Sequence, residues 1–287
     1  MSERITGHTE LIGLFATPIR HSISPQMHNE SFARLGLDYA YLAFEVGKEE
    51  LPAAIQSIKT LGMRGANLSM PNKQLACQYM DHLSPAAKMA GAINTIVNDD
   101  GVLTGHITDG TGFMSSLEMN GISIIGKQMT ILGAGGAATA ILIQAALDGV
   151  GKISVFNAKD AFFATAADKI ASIKAETGCD IQLHDLADED LLRQEIAASA
   201  ILVNATGVGM KPLEGQSLIT DASLLRSDLV VADVIYTPSE TALLKLAKAQ
   251  GCQTLNGLGM LIGQGAAAFK LWTGKEMPVA EIKELLF

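Results

Sequence analysis

The chain lacks most of the features that mark a specialised class. Its three cysteines, Cys77, Cys179 and Cys252, are scattered, odd in number and never spaced C-x-x-C. That excludes a disulfide framework and a cysteine zinc site, and leaves buried thiols in a reducing cytoplasm. The six histidines form no H-E-x-x-H, and His21 and His28, seven apart, read as scaffold rather than ligands, so no metal is expected. No cluster of lysine and arginine interrupts a chain of 21 basic and 30 acidic residues with net charge −9. Neither nucleic acid nor an anionic membrane is therefore an expected partner. The opening Met1-Ser-Glu-Arg runs into charge and not into an apolar signal core. The apolar stretch from Gly133 to Leu147 is too short to span a bilayer. No repeat or low-complexity tract is visible. These absences predict a soluble, cytoplasmic protein. Local anion binding stays open to it, because a phosphate site needs only backbone and one or two side chains.

What is present is apolar bulk. Of 287 residues 48% are apolar and 18% charged, enough for about two domains with sizeable cores. Short Val/Ile/Leu runs alternate with helical patterns throughout, which predicts an α/β class. In the first part, strands are expected at 10–16, 39–45 and 64–69, with helices at 25–35, 49–60 and 72–79. Segments 92–98 and 102–106 form a hairpin around Asp99-Asp100-Gly101. A connecting helix at 110–120 leads to strands at 128–132, 152–157, 180–184, 201–204, 229–234 and 253–255, with helices between them. Such runs suit a parallel sheet covered on both faces. Helices at 259–272 and 279–286 then return to the first domain. The expected partition is 1–110 with 257–287 as an α/β substrate domain and 111–256 as a Rossmann-like, doubly wound domain. The cleft between them is the natural ligand site.

Met129-Thr-Ile-Leu-Gly133-Ala134-Gly135-Gly136-Ala137-Ala138 is the most informative stretch. Strand, glycine turn and helix follow in the order that lets backbone approach a pyrophosphate, with the helix N-terminus supplying donors. Four more segments put polar groups where a loop meets an element. In His21-Ser22-Ile23-Ser24-Pro25, Ser24 is placed as an N-cap, and the additional Ser22 suits a carboxylate or polyol. In Asn67-Leu-Ser69-Met-Pro71-Asn72-Lys73, the lysine sits in a first helical turn, where the dipole disfavours it. Either it is merely exposed, or it is held near a substrate where its proton moves. In Gly91-Ala-Ile-Asn94-Thr95 the asparagine is a backbone bridge or a ligand. In Gly105-His-Ile-Thr-Asp109-Gly110-Thr111-Gly112 the aspartate is a turn former or a catalytic group. Taken singly, each structural reading outweighs the functional one.

Taken in order, these motifs with Asn204-Ala-Thr206-Gly207-Val208-Gly209-Met210 and Asn256-Gly257-Leu-Gly259-Met260-Leu261-x-x-Gln264 resemble the shikimate dehydrogenase family. The likeness runs from about Leu11 onward and is closest to the quinate/shikimate dehydrogenase branch. It implies reversible oxidation of shikimate to 3-dehydroshikimate with a nicotinamide cofactor. It also implies roles. Ser22 and Ser24, with Tyr39 as a weaker candidate, hold the substrate carboxylate. Ser69 holds a ring hydroxyl. Asn94, Tyr236 and Gln264 lie on the substrate side, Lys73 is the general acid/base and Asp109 its partner. Gly133, Ala134, Gly135, Gly136 and Ala137 cradle the dinucleotide. Asn204, Thr206, Gly207, Met210 and Val234 line its other side, and Gly257 lies near the nicotinamide.

NADP-selective relatives carry Asn-Arg-Thr after the second strand of the dinucleotide domain. This chain has Asn157-Ala158-Lys159-Asp160 instead. Without the arginine, and with Asp160 suited to a ribose diol, NAD is favoured, and Lys159 keeps NADP in play. Alternatives remain. Ser69 in place of threonine makes room for quinate, the scaffold could serve another small hydroxy acid, and a catalytically silent dinucleotide sensor is the competing class. A homodimer is left open.

Overall fold

The computed structural model describes residues 5–286, so the charged opening Met1-Ser-Glu-Arg lies outside the described residues. Strand and helix alternate along the chain. The first stretch comprises β1 (Glu10–Ala16), α1 (Ser24–Arg34), β2 (Tyr39–Glu45), α2 (Leu51–Thr60), β3 (Gly65–Leu68) and a 3-10 turn, Leu75–Tyr79. It continues with β4 (His82–Leu83), α3 (Pro85–Ala90), β5 (Thr95–Asp99), β6 (Val102–His106) and α4 (Asp109–Met119). Then come β7 (Gln128–Leu132), α5 (Gly136–Asp148), β8 (Lys152–Asn157), α6 (Phe163–Thr177), β9 (Asp180–Asp185), α7 (Glu189–Ala198) and β10 (Ile201–Asn204). The last stretch is β11 (Val208–Glu214), β12 (Val230–Asp233), α8 (Ala242–Ala249), β13 (Gln253–Leu255), α9 (Leu258–Thr273) and α10 (Val279–Leu286). Two compact units result. One runs to Gly112 and resumes at Ile262, and the other spans Phe113–Leu261.

The first unit is built on a sheet of order β2-β1-β3-β5-β6-β4. It is mixed, because β5 runs antiparallel to both β3 and β6. Asp100 and Gly101 both take positive φ, 53° and 91°, which is the backbone a two-residue hairpin turn needs. The C-terminal helices pack on this sheet. Buried Trp272 donates through Nε1 to the Ile96 carbonyl at 2.9 Å, and Arg64 Nε donates to the Trp272 carbonyl at 2.8 Å. Gly65 makes that approach possible, since a Cβ there would overlap the Ile96 carbonyl and crowd the indole nitrogen. Beside it, His28 stacks on Tyr41 with centroids 4.5 Å apart and meets Phe269 and Trp272 on its other sides.

The second unit holds a fully parallel sheet of order β13-β12-β10-β7-β8-β9. The strand order reverses between β7 and β10, the arrangement of a doubly wound Rossmann-like sheet. Its strands are short apolar runs because both faces are covered. Leu132, Phe156, Leu202, Val231, Leu243 and Ile196 form one core on one side. Helix α5 is apolar nearly all round, and its Ala138, Ile141, Leu142 and Ala145 are buried. Among the described residues, no helix is long and apolar enough to cross a membrane.

Three local expectations differ. Ser24 is the first residue of α1 rather than its cap. The residue before it, Ile23, is already in the right-handed helical region, and it is the Ser22 hydroxyl that accepts from Ser24 N at 3.2 Å. The helix expected over 72–79 is a turn followed by the 3-10 segment, because Lys73 O is taken by Ile93 N instead of by the next helical turn. Helix α3 was unread. Ser84 caps it by accepting from Ala87 N and Gly91 closes it at φ 62°, but six residues carry too little periodicity to declare a helix.

Candidate active site

In the first unit the ends of β3 and β5, the start of α4 and the first turns of α9 gather one polar cluster. Lys73 Nζ lies 2.7 Å from Asp109 Oδ2, with the two side chains 26% and 17% exposed. The remaining Asp109 oxygen, Oδ1, accepts from Asn94 Nδ2 at 3.2 Å. The same amide reaches Thr108 Oγ1 at 3.0 Å and Gln264 Oε1 at 3.4 Å. Asn94 Oδ1 accepts from Thr108 N at 2.9 Å and from Thr95 Oγ1 at 3.0 Å, so its amide has only one workable orientation. Four of the residues singled out from sequence, Lys73, Asn94, Asp109 and Gln264, thus stand in one connected group. An ammonium and a carboxylate held half-buried next to amide donors are equipped to exchange a proton with a hydroxyl.

A second polar group adjoins the first. Tyr41 is fully buried and donates from its hydroxyl to Asn67 Oδ1 at 2.8 Å, while Ser24 hydrogen-bonds to the same phenol. Burial drives the Tyr41 phenol far above its ordinary range, so it stays a neutral donor. Asn67 Nδ2 donates to the Asn94 carbonyl at 2.9 Å and to Thr95 Oγ1 at 3.0 Å. Hydrogen bonds therefore run unbroken from Ser24 through Tyr41, Asn67 and Thr95 to Asn94, Asp109 and Lys73. Tyr39, expected near Ser22 and Ser24, is not in this chain. Its ring stacks on Phe32 at 5.2 Å, and Tyr41, two positions on and on the same strand face, is the tyrosine that Ser24 hydrogen-bonds. Tyr41 and Asn67 were missed. Asn67 had a signal, because it alternates with Ser69 along one strand. Ser69 follows that strand half-buried, with its carbonyl accepting from Asn72 N.

In the second unit the loops after β7 and β10 meet. Gly133 has φ 100°, and a Cβ there would press on Thr206 Cγ2 at 2.8 Å and the Ala205 carbonyl at 3.0 Å. Gly135 and Gly136 face open space, and Gly135 caps α5 without any side-chain bond. A helix N-terminus without a side-chain cap, behind a glycine cradle, fits a pyrophosphate. Asn157, at the end of β8, accepts from Ala134 N at 3.1 Å, and Ala158, Lys159 and Asp160 beyond it are exposed. Asn204 Oδ1 accepts from Thr206 N and from its hydroxyl, at 3.2 and 2.7 Å, so Asn204 shapes its turn from within. Gly207 belongs to that turn, and Met210 and Tyr236 are 44% and 49% exposed. Gly257 passes against the backbone of Val234, whose carbonyl a Cβ would overlap. Among the described residues, no cluster of His, Cys, Asp and Glu could hold a metal ion.

Known proteins share this arrangement. The description "Shikimate dehydrogenase substrate binding domain" matches residues 14–96, and "Shikimate 5'-dehydrogenase C-terminal domain" matches residues 257–287. A shikimate dehydrogenase (NADP(+)) of Listeria monocytogenes is 63% identical over 287 residues, covering 100% of this chain and 99% of the relative. The crystal structure of a shikimate 5-dehydrogenase from the same species, in complex with shikimate and NAD, superposes with TM-score 0.97 at 63% identity, covering 100% and 99% of the two chains. A quinate dehydrogenase from Corynebacterium glutamicum, in complex with NAD, superposes with TM-score 0.86 at 32% identity, covering 96% and 98%.

Proposed function

This chain belongs to the shikimate dehydrogenase family, and from that premise we propose how it oxidises shikimate reversibly to 3-dehydroshikimate with a nicotinamide dinucleotide. The observation that carries the reading is the 2.7 Å contact of Lys73 Nζ with Asp109 Oδ2 inside a cluster of neutral amides and hydroxyls. Converting an alcohol to a ketone removes a hydride from carbon and a proton from oxygen. The bound cofactor supplies the hydride acceptor. As the neutral amine Lys73 takes the hydroxyl proton in oxidation, and as the ammonium it gives that proton to the developing alkoxide in reduction. Asp109 holds Nζ in place, and Asn94 holds Asp109. Ser22 and Ser24 take the substrate carboxylate, with buried Tyr41 and Asn67 behind them as support, while Ser69, Asn94 and Gln264 take ring hydroxyls. We assign the first unit to the acid and the second to the dinucleotide, and place the enzyme in the cytoplasm, where the Cys179 and Cys252 thiols stay reduced.

For the cofactor the proposal favours NAD over NADP. Ala158 offers no guanidinium for a 2′-phosphate, and Asp160 adds a carboxylate that repels one and accepts from a ribose diol. The name of the Listeria relative specifies NADP(+) while the Listeria crystal structure holds NAD, so the preference has to be measured. Quinate is the second acid, favoured by the small Ser69 and by the likeness to a quinate dehydrogenase.

The test is a steady-state panel of shikimate and quinate against NAD and NADP, followed at the reduced-nicotinamide absorbance band. Turnover is expected with shikimate, at higher kcat/KM with NAD than with NADP. Tight NAD binding without turnover of either acid would replace the enzyme by a sensor. In the same panel, Ala158→Arg is expected to raise kcat/KM for NADP about tenfold, because a bidentate guanidinium–phosphate contact contributes roughly 1.5 kcal/mol or more. An unchanged NADP:NAD ratio would remove Ala158 as the determinant.

A further inference from the structure

One buried acid in the second unit has no part in the chemistry above. Asp233 ends β12 directly opposite Asn204, the last residue of β10, and is 2% exposed. Every contact its carboxylate makes is to a donor. Asn204 Nδ2 lies 3.1 Å from both oxygens, Ile235 N donates to Oδ1 at 3.0 Å and Thr241 Oγ1 donates to Oδ2 at 2.8 Å. Among the described residues, no cation pairs with it. Burial pushes this carboxyl above the usual carboxylate range, and the three donors pull it back. An acid surrounded only by donors is an acceptor at every position, which is what the ionised form requires.

That has a consequence for Asn204. An asparagine amide has an oxygen end that accepts and a nitrogen end that donates. A carboxylate takes only the nitrogen. With Nδ2 committed to Asp233 and to the Val208 carbonyl at 3.0 Å, Oδ1 is left to accept from Thr206 N and Oγ1. The Thr206 hydroxyl in turn accepts from Val208 N at 3.1 Å, which closes the turn. This turn is the one whose Ala205 carbonyl and Thr206 methyl abut Gly133, at the point where the strand order reverses and such folds bind their ligands.

We propose that Asp233 is a positioning residue for the dinucleotide: its carboxylate anchors the Asn204 amide, and through it the turn that walls the phosphate crevice. The inference rests on the second unit being the dinucleotide unit. Asp233→Asn preserves shape but replaces a charged acceptor of Asn204 Nδ2 with a neutral amide, so the Asn204 side chain, still oriented by Thr206 N and the Val208 carbonyl, is held less firmly and the turn it shapes loosens.

The experiment is equilibrium binding of NAD to the whole enzyme without substrate, by calorimetric titration, beside shikimate binding to the same preparations. Asp233→Asn is expected to weaken NAD about tenfold, the equivalent of roughly 1.4 kcal/mol, and to leave shikimate affinity within about twofold. Thr241→Val removes a different arm of the carboxylate, so it is expected to lower the melting temperature and leave NAD affinity within about twofold. An Asp233→Asn protein that binds NAD normally overturns the proposal. So does a loss shared equally by shikimate, or a Thr241→Val protein as weak for NAD as Asp233→Asn, since either marks a general structural role. If Asp233→Asn does not fold, Asp233→Glu carries the test by displacing the carboxylate while keeping its charge, with the same split expected and the same outcomes against it. Because the readout is binding, absence of turnover by the unaltered enzyme would count against the proposed activity and not against this role.

Discussion

Replacing Lys73 with alanine is expected to lower kcat about 10²–10⁴-fold while KM for shikimate moves only a few-fold, the signature of a group that acts mainly in the transition state. The side chain is neither a surface lysine nor a buried structural ion. It is about a quarter exposed and paired at 2.7 Å to Asp109, whose other oxygen accepts from Asn94. Removing the amine leaves a partly buried carboxylate with one amide partner, so some stability is lost as well, and a control has to separate the two. Lys73→Arg provides it. Arginine restores the ion pair but does not release its proton in water. It is therefore expected to recover melting temperature without recovering turnover. Steady-state rates with both variants, read against their melting curves, decide the matter. A Lys73→Ala enzyme within about threefold of the parent kcat, or a Lys73→Arg enzyme near full activity, would move the proton transfer to another group.

The second large effect is on stability at acid pH. His28 sits at 0% exposure among Tyr41, Phe32, Phe269 and Trp272, with no hydrogen-bond partner on either ring nitrogen. Burial pushes its pKa down from 6.5 to about 3. In the unfolded chain the imidazole charges as pH falls below its ordinary value, while in the fold it stays neutral until far lower. The stability this site contributes is therefore complete above about pH 6.5 and is lost progressively as pH falls toward 3. Between about pH 7.5 and 5 that loss is roughly 2 kcal/mol, visible in denaturant midpoints. His28→Phe fills the same stack without a titrating group. Its advantage over the parent is expected to grow by that amount across the same interval. Parallel pH profiles for the two proteins would show that His28 does not titrate on unfolding.

The aromatic stack and the polar chain above it explain why some of the site was readable and some was not. Lys73, Asn94, Asp109 and Gln264 lie in motifs where a loop meets an element, so their position along the chain already suggested polar work. Tyr41 carries no such mark. It is one of two tyrosines on one face of a strand, and only the packing of Tyr39 on Phe32 and of Tyr41 on His28 tells them apart. Asp233 ends an apolar strand, where an acid reads as a turn residue. Its importance appears only when β12 is laid beside β10 and its carboxylate meets Asn204. Ser24 shows the reverse case. The motif marks the start of a helix, but no side chain caps it: the helix begins a residue earlier than the proline rule suggests, Ile23 stands at the cap position, and the Ser22 hydroxyl accepts from Ser24 N.

Period and punctuation were determined by the chain alone. Alternating apolar runs set strands against helices, Asp100-Gly101 set the hairpin, and Gly133 with the small residues after it set the turn between β7 and α5, because each is a local steric demand that neighbours in sequence satisfy. Pairing was decided in three dimensions. Which strand lies beside which, which end of the Asn204 amide faces Asp233, and how Trp272 reaches Ile96 across 176 positions depend on groups brought together only when apolar faces are buried. Hydrogen bonds of that kind have no local signature, since burial is what obliges each polar group to find its partner.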